Sequence, residues 1–533
     1  MAAATDLAGG IPHEATSSSH KWLIALAVML GAALEVLDNS IINVALPHLQ
    51  GTFSASVDEI AWVLTSYLVA NGIMIPMTGW ISSRFGRKRY FMTSLFVFLA
   101  ASALCGAAQS LQQMVMFRLL QGAAGAAMIP SSQAILMETF PPEQQQVAMA
   151  IWGMGLMVAP IAGPTLGGWI TDNWNWRWNF YINLPIGTIA FLMVYTFVHD
   201  PPFMRDRRAK GGRVDYAGII LLAASVGLLQ IVLDRGQRAD WFESMWVVCA
   251  TAGCALGFIL LVVRELTFPE PILDLRIFKE RTFVVALILT IAFSFVLFGT
   301  ILLNPLFLQE LLGYSAWKTG LVQAPLGLCS GFSMMMTGQI ARAGINTRPL
   351  VGLGFSLIAI GAWLMGGMNP QVSMMAVLKR NVVMSFGFGM IFPNTSAAAL
   401  SSVSHERIGY AAGLYNMLRN TGAAIGIAFM TNSLISHEQV HQSHLVEHFS
   451  IFDAWRFSKG VTPGAMQGFA YIPEMTHGPS HGLAMLYGLV HQQAMMLAFN
   501  DIYRMIAIGL LPMIPLFLML PSSKISPATA SAH

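Results

Sequence analysis

A chain of 533 residues in which 55% are hydrophobic and only 10% charged has too little polar surface to cover so large an apolar core in water, since a soluble domain carries about a quarter charged residues. Its mean hydropathy of +0.61 sets most of the chain against lipid or against other lipid-buried helices. The net charge of +3 comes without a long basic run interleaved with aromatics, which argues against a nucleic-acid partner. Cys105, Cys249, Cys254 and Cys329 lie inside apolar stretches, as packing residues rather than a disulfide or zinc framework.

Residues 1–21 form a polar, small-residue tail, and the apolar run from Trp22 is too long for a signal-peptide core. Cutting the chain at its charged and Pro/Gly-rich breaks predicts fourteen spans, at 22–47, 59–82, 90–109, 111–137, 147–171, 179–199, 214–233, 245–265, 283–311, 316–341, 349–367, 371–401, 407–436 and 496–520. With the N-terminus inside, more than half of the lysines and arginines fall in cytoplasmic loops, and the even count returns the C-terminus to the cytoplasm. Arg118 to Pro130 in the fourth span is echoed by Arg380 to Pro393 in the twelfth, and Arg84-Phe85-Gly86 by Arg342-Ala343-Gly344. Both echoes are eight spans apart, which pairs spans 1–6 with 9–14 and leaves 7–8 inserted. The expected organisation is a cytoplasmic tail at 1–21, a six-helix bundle at 22–199, a linker with the inserted pair at 200–282, a second six-helix bundle at 283–520 that includes a polar periplasmic loop at 437–495, and a cytoplasmic tail at 521–533.

Asp38 lies about sixteen residues into the first span, roughly 24 Å from its inner end and too deep to snorkel. A carboxylate at such depth is costly and marks ion or proton pathways, usually facing a water-filled cavity. Glu35 shares its helical face. Arg118 enters from the opposite side to nearly the same depth, which allows an ion pair with Asp38 that a proton or a substrate would break; a fixed structural bridge to another partner is the alternative. Gly155, Ala159, Gly163 and Gly167 recur every four residues in the fifth span, a stripe for close helix approach, and Pro160 and Pro164 free backbone carbonyls. Arg84, Arg87, Lys88 and Arg89 make a basic loop around Gly86, suited to anionic lipid. In the thirteenth span Arg419 is as deep as Asp38 and requires a cavity or a carboxylate, where it would meet an anionic substrate or a backbone carbonyl. Asn43, Gln121, Asn416 and Asn420 join it as candidates for the substrate cavity. His437, His441, His444 and His448 share one face if that helix continues outward, a spacing open to metal binding, adaptor contact, pH sensing or a plain solvated face. No cofactor is expected, and no Gly-x-x-x-x-Gly-Lys-Ser/Thr pattern for ATP occurs.

Five motifs in order resemble the fourteen-helix drug:proton antiporters of the major facilitator superfamily, and within them the EmrB-like efflux pumps. They are Leu37 to Pro47 in the first span, Gly79 to Arg89 with Ser83 where an aspartate is usual, Arg118 to Gly122, Gly155 to Gly168, and Trp176 to Pro185. The resemblance implies an all-α polytopic membrane protein with two six-helix bundles and two inserted helices. It implies proton-driven export of hydrophobic or amphipathic toxic compounds across the bacterial inner membrane by alternating access, with Gly79, Arg84, Gly86 and Arg87 in a gate and the glycine stripe at the bundle interface. It also implies a periplasmic membrane-fusion adaptor and a TolC-type outer-membrane channel as partners. The alternatives are a dedicated exporter of one metabolite, fatty acid or siderophore, or, from another class, a transporter-like sensor or a membrane enzyme; the last lacks a Ser/His pair at membrane depth.

Overall fold

The computed structural model describes residues 18–200, 215–236, 239–268, 271–447 and 478–520, which are helical with no strand among them. The first bundle comprises α1 (Ser18–Phe53), α2 (Val57–Phe85), α3 (Arg87–Ala107), α4 (Leu111–Gly125) with α5 (Met128–Thr139), α6 (Pro142–Asn173), and the short α7 (Trp178–Tyr181) leading into α8 (Asn183–Phe197). The inserted pair is α9 (Tyr216–Arg235) and α10 (Met245–Thr267). The second bundle comprises α11 (Arg281–Leu306), α12 (Ala316–Arg342), α13 (Arg348–Met365), α14 (Met374–Ser401), α15 (Ile408–Val446) and α16 (Gly478–Gly509).

Among the described residues, eleven helices are long and apolar enough to cross a membrane. The other three expected spans are present as helix but fall short of that measure for physical reasons. The fourth is split between Gly125 and Met128: Pro130 has no N–H to offer the Ala126 carbonyl, so the ladder is interrupted there. α12 and α15 are rich in Gly, Ser, Asn and Gln, which lower their hydropathy without preventing helix formation. α15 also runs ten residues beyond the predicted end at 436. Its 39 residues span about 58 Å at 1.5 Å per residue, nearly twice a 30 Å hydrocarbon core. The surplus lies at the end opposite the Arg84 loop, where α16 begins well before the predicted position 496 and packs beside it.

Helix starts are closed by side chains where the chain turns. Ser56 and Glu59 form a reciprocal capping box on α2, while Ser110, Ser315 and Ser373 cap α4, α12 and α14, each accepting from a backbone N–H at 3.3 Å. Between α2 and α3 a single residue, Gly86, makes the turn at φ +94°, a conformation that L side chains rarely adopt.

The bundles meet along two antiparallel pairs, α6 with α12 and α2 with α15. At the Arg84 end the second pair is in backbone contact: a Cβ on Gly79 would run into the backbone of Gly409 and Tyr410. There the Ser83 and Tyr410 hydroxyls lie 3.2 Å apart, and Gln146 Nε2 donates to Thr347 Oγ1 at 3.1 Å. Toward the opposite end α9 packs along α2, with Gln230 against Gly72, Asp234 accepting from Thr65, and the Arg235 guanidinium 4.4 Å above the Trp62 ring.

Candidate functional site

Asp38 sits where α1, α4 and α8 converge, and it is 1% exposed. Arg118 Nη1 donates to its Oδ2 at 2.6 Å, and Gln121 Nε2 and Asn183 Nδ2 donate to its Oδ1 at 2.9 and 2.6 Å. The guanidinium is itself fixed. Its Nε donates to the Val63 carbonyl at 3.2 Å, its Nη1 reaches Gln121 Oε1 at 2.9 Å, and its plane lies 4.2 Å from the Tyr67 ring centroid. α2 and α4 can approach this closely because Gly122 faces the Tyr67 backbone, where a Cβ would collide. The expected ion pair is therefore formed, but the expected cavity at Asp38 is not: donors enclose the carboxylate instead of water, which compensates its burial.

Glu35 follows a different path. Asn71 Nδ2 donates to its Oε1 at 2.8 Å, while Oε2 is buried without a partner. The Tyr67 hydroxyl is likewise buried and unpartnered. Arg419, on α15 of the other bundle, lies within electrostatic reach of Glu35; its Nη2 touches Asn420 Oδ1 at 3.3 Å and its Nε has no partner. Beside it Asn416 Nδ2 donates across the bundle interface to Gln133 Oε1 at 2.5 Å, leaving Gln133 Nε2 and Asn416 Oδ1 unused. Opposite charges and spare hydrogen-bonding atoms thus face each other between the bundles.

The remaining predicted residues divide between this centre and elsewhere. Gln121, expected in the cavity, belongs to the Asp38 cluster. Asn43 is exposed, and its amide donates to the Asn39 carbonyl at 3.3 Å. The glycine stripe turns to α1 rather than to the other bundle: Gly155 faces Met29, Gly163 faces Ser40 and Gly167 faces Ile41. The Pro160 carbonyl, deprived of its helical donor because Pro164 has no N–H, accepts from Ser40 Oγ at 3.1 Å. It is Gly153, Gly331 and Gly338 that meet residues across the α6–α12 and α6–α14 contacts. In the basic loop Arg87 pairs with Glu138 at the end of α5, so that network has an acid although position 83 does not supply one. Arg84 lies over the Trp80 ring, 5.8 Å from its centroid.

Three histidines of α15 and α16 have carboxylate or backbone partners. His441 Nε2 is 2.7 Å from Asp501, His437 Nδ1 is 2.9 Å from the Ser433 carbonyl, and His491 Nδ1 is 2.8 Å from Glu438. Among the described residues no three His, Cys, Asp or Glu side chains gather as metal ligands; His448 lies outside the described residues, as do 1–17, 201–214, 449–477 and 521–533.

Sequence reasoning missed Asn183, Tyr67, Asn71 and Gln133, since neutral groups at membrane depth carry no insertion penalty large enough to draw notice. It also missed a neutral counterpart of the Asp38 cluster in the second bundle. There Tyr503 donates to Asn304 Oδ1 at 2.6 Å, and Asn304 reaches Asn381 at 3.4 Å. These residues come from α16, α11 and α14, the last, first and fourth rods of their bundle, as Asn183, Asp38 and Arg118 do in theirs. Arg380 next to Asn381 was the visible signal of this equivalence.

Similarity to known proteins agrees with this architecture. The family model described as the Major Facilitator Superfamily matches residues 28–427. The chain is 33% identical over 492 residues to the multidrug export protein EmrB of Haemophilus influenzae, covering 92% of this chain and 93% of that one. It is 31% identical over 493 residues to the fatty acid resistance protein FarB of Neisseria gonorrhoeae, covering 92% and 94%. The solved structure of the proton:xylose symporter XylE superposes with a TM-score of 0.59 at 16% identity, over 96% of this chain and 98% of that one, a likeness of fold. Two bundles meeting along paired helices, an inserted pair between them and this similarity over nearly the whole length establish that the chain belongs to the Major Facilitator Superfamily and is similar throughout to its EmrB multidrug export proteins.

Proposed function

We propose that this protein is a proton-coupled exporter of hydrophobic or amphipathic toxic compounds, working by alternating access between its two bundles. The observation that carries the reading is the fully buried Asp38–Arg118 ion pair, a charge arrangement that a single proton can dissolve. Proton uptake by Asp38 removes the charge that holds Arg118, and the freed guanidinium, one of whose nitrogens already lacks a partner, turns toward the space between the bundles. Glu35, Arg419, Asn416 and Asn420 face that space and supply acceptor, cation and amide groups to a bound compound. Deprotonation toward the opposite side restores the pair. The multidrug export proteins among the relatives support the substrate class.

The same reading sets the protein in a bacterial inner membrane with both termini cytoplasmic, alongside a periplasmic adaptor and a TolC-type channel. Support for the adaptor is the surplus length of α15 beyond a bilayer, braced against α16 by the His441–Asp501 and His491–Glu438 pairs. A second reading, export of fatty acids alone, draws on the similarity to the fatty acid resistance protein FarB, which is lower than that to EmrB. The test is dye and fatty-acid accumulation in cells lacking their own pumps, with and without a protonophore. Broad exclusion that collapses with the protonophore supports the first reading, exclusion of fatty acids alone supports the second, and exclusion insensitive to the protonophore removes proton coupling.

A further inference from the structure

Residues 174–185 carry a sequence motif, Trp176 to Pro185, to which the transport cycle above gives no task. The segment is pinned to the bundle at several points. Arg177 Nη1 donates to the carbonyls of Gly106 and Ala108 at 3.0 and 2.7 Å, its guanidinium lies 4.4 Å from the Trp176 ring centroid, and Trp176 Nε1 donates to Thr52 Oγ1 at 3.0 Å. These anchors join α7 to the ends of α1 and α3, and they set the position of the Phe180 carbonyl.

From that carbonyl a chain of hydrogen bonds leads to Asp38, and its direction is not free. A carbonyl oxygen only accepts, so Ser102 Oγ donates to Phe180 O at 2.9 Å. Ser102 has a single proton and has spent it, so toward Asn183 it can only accept, which it does from Nδ2 at 3.0 Å. The amide nitrogen is thereby turned toward Ser102 and Asp38, and its other proton goes to Asp38 Oδ1 at 2.6 Å. Asn183 Oδ1 is left buried without a partner, so the side chain is oriented for what it donates and not for its own full satisfaction. A donor fixed in this way favours a carboxylate over a carboxylic acid.

We propose that Asn183 is a positioning residue that holds Asp38 in its charged, Arg118-paired state, its polarity imposed by the Phe180 carbonyl through Ser102. The inference rests on Asp38 being the proton carrier. The motif then acts as a fixed template that sets how readily the carrier loads. Other groups around Asp38 are Arg118 from α4, which touches it, Tyr67 from α2 behind the guanidinium, Glu35 one turn earlier on α1, and the Cys105 thiol of α3, 3.6 Å from Gln121 Oε1. All of these are unchanged in the variants that follow.

The experiment is infrared titration of the purified protein in lipid, which reads the carbonyl band of a protonated carboxyl without any substrate. The band belonging to Asp38 is the one absent from Asp38→Asn. Asn183→Ala is expected to move the midpoint of that band about one unit alkaline, the size of one lost hydrogen bond to a charged group. Asn183→Gln, which keeps an amide, recovers part of the shift, and Ser102→Ala gives a smaller shift in the same direction. Ser102→Ala decides alone if Asn183→Ala does not fold. A wild-type midpoint in both overturns the positioning role while leaving Asp38 as carrier. If Asp38→Asn removes no titrating band, the proton-carrier reading fails and this inference falls with it.

Discussion

At the scale of single residues, the cost of burying Asp38 is met by three donors, and each can be removed separately. Asp38→Asn deletes the proposed proton carrier and its charge together. It should abolish gradient-driven efflux while leaving membrane insertion intact, because removing a buried charge lowers the insertion cost; wild-type accumulation levels in this variant would refute the assignment. Arg118 holds Asp38 through one nitrogen while its Nε reaches Val63 and its face covers Tyr67. Lysine keeps the charge but has neither the fork nor the plane for those contacts. Arg118→Lys is therefore expected to retain partial transport with a displaced pH profile and Arg118→Ala to lose coupling, both measured as drug efflux against internal pH in vesicles. Equal profiles for wild type and both variants would remove Arg118 from the mechanism.

At the scale of elements, α2 and α15 are in backbone contact at the Arg84 end, and glycine permits it. A valine at Gly79 meets the Tyr410 backbone, which cannot yield as a flexible side chain would. Overpacking of about 1–3 kcal/mol shifts the population roughly 5- to 150-fold away from this closely packed arrangement. Gly79→Val should then expose a cysteine placed at Ser83 to a maleimide reagent added at that end, whereas Gly51→Val, at a site with open space, leaves its labelling slow. Equal labelling in the two variants would show that closure does not depend on this contact. The split between α4 and α5 has a comparably local cause in Pro130, and it aims Arg118 and Gln133 from one transmembrane segment at two different partners.

For the whole molecule, a buried polar link between the bundles is the Asn416–Gln133 hydrogen bond, accompanied by Glu35 and Arg419. Each amide keeps an unused atom, so the link can be exchanged for another when the bundles rock. Removing one partner strands the other in the closed arrangement at a cost of about 1–3 kcal/mol, whereas removing both avoids the stranded group. Asn416→Ala and Gln133→Ala should each slow the transport cycle, and the double variant should lose less than the sum of the two. Strictly additive losses in vesicle transport rates would mean that the bond does not couple the bundles.

The sequence by itself determined the solvent, the helical class, the pairing of bundles around an insert and the burial of Asp38, Arg118 and Arg419. These follow from hydropathy along the chain and from a rise of 1.5 Å per residue, both local quantities. Family membership was legible in five ordered motifs. What the tertiary structure decided were the partners. Whether Asp38 faces water or donors depends on Gln121 and Asn183, which approach from 83 and 145 residues away. Whether the glycine stripe meets α1 or the other bundle depends on how α6 is rotated about its axis, which a four-residue repeat does not define. The acid of the basic loop is Glu138 rather than a neighbour of Arg84, since an ion pair is set by distance in space. Neutral amides and hydroxyls cost too little at depth to stand out in a sequence, and only convergence of separate helices shows that Gln121 and Asn183 bind the buried Asp38 carboxylate.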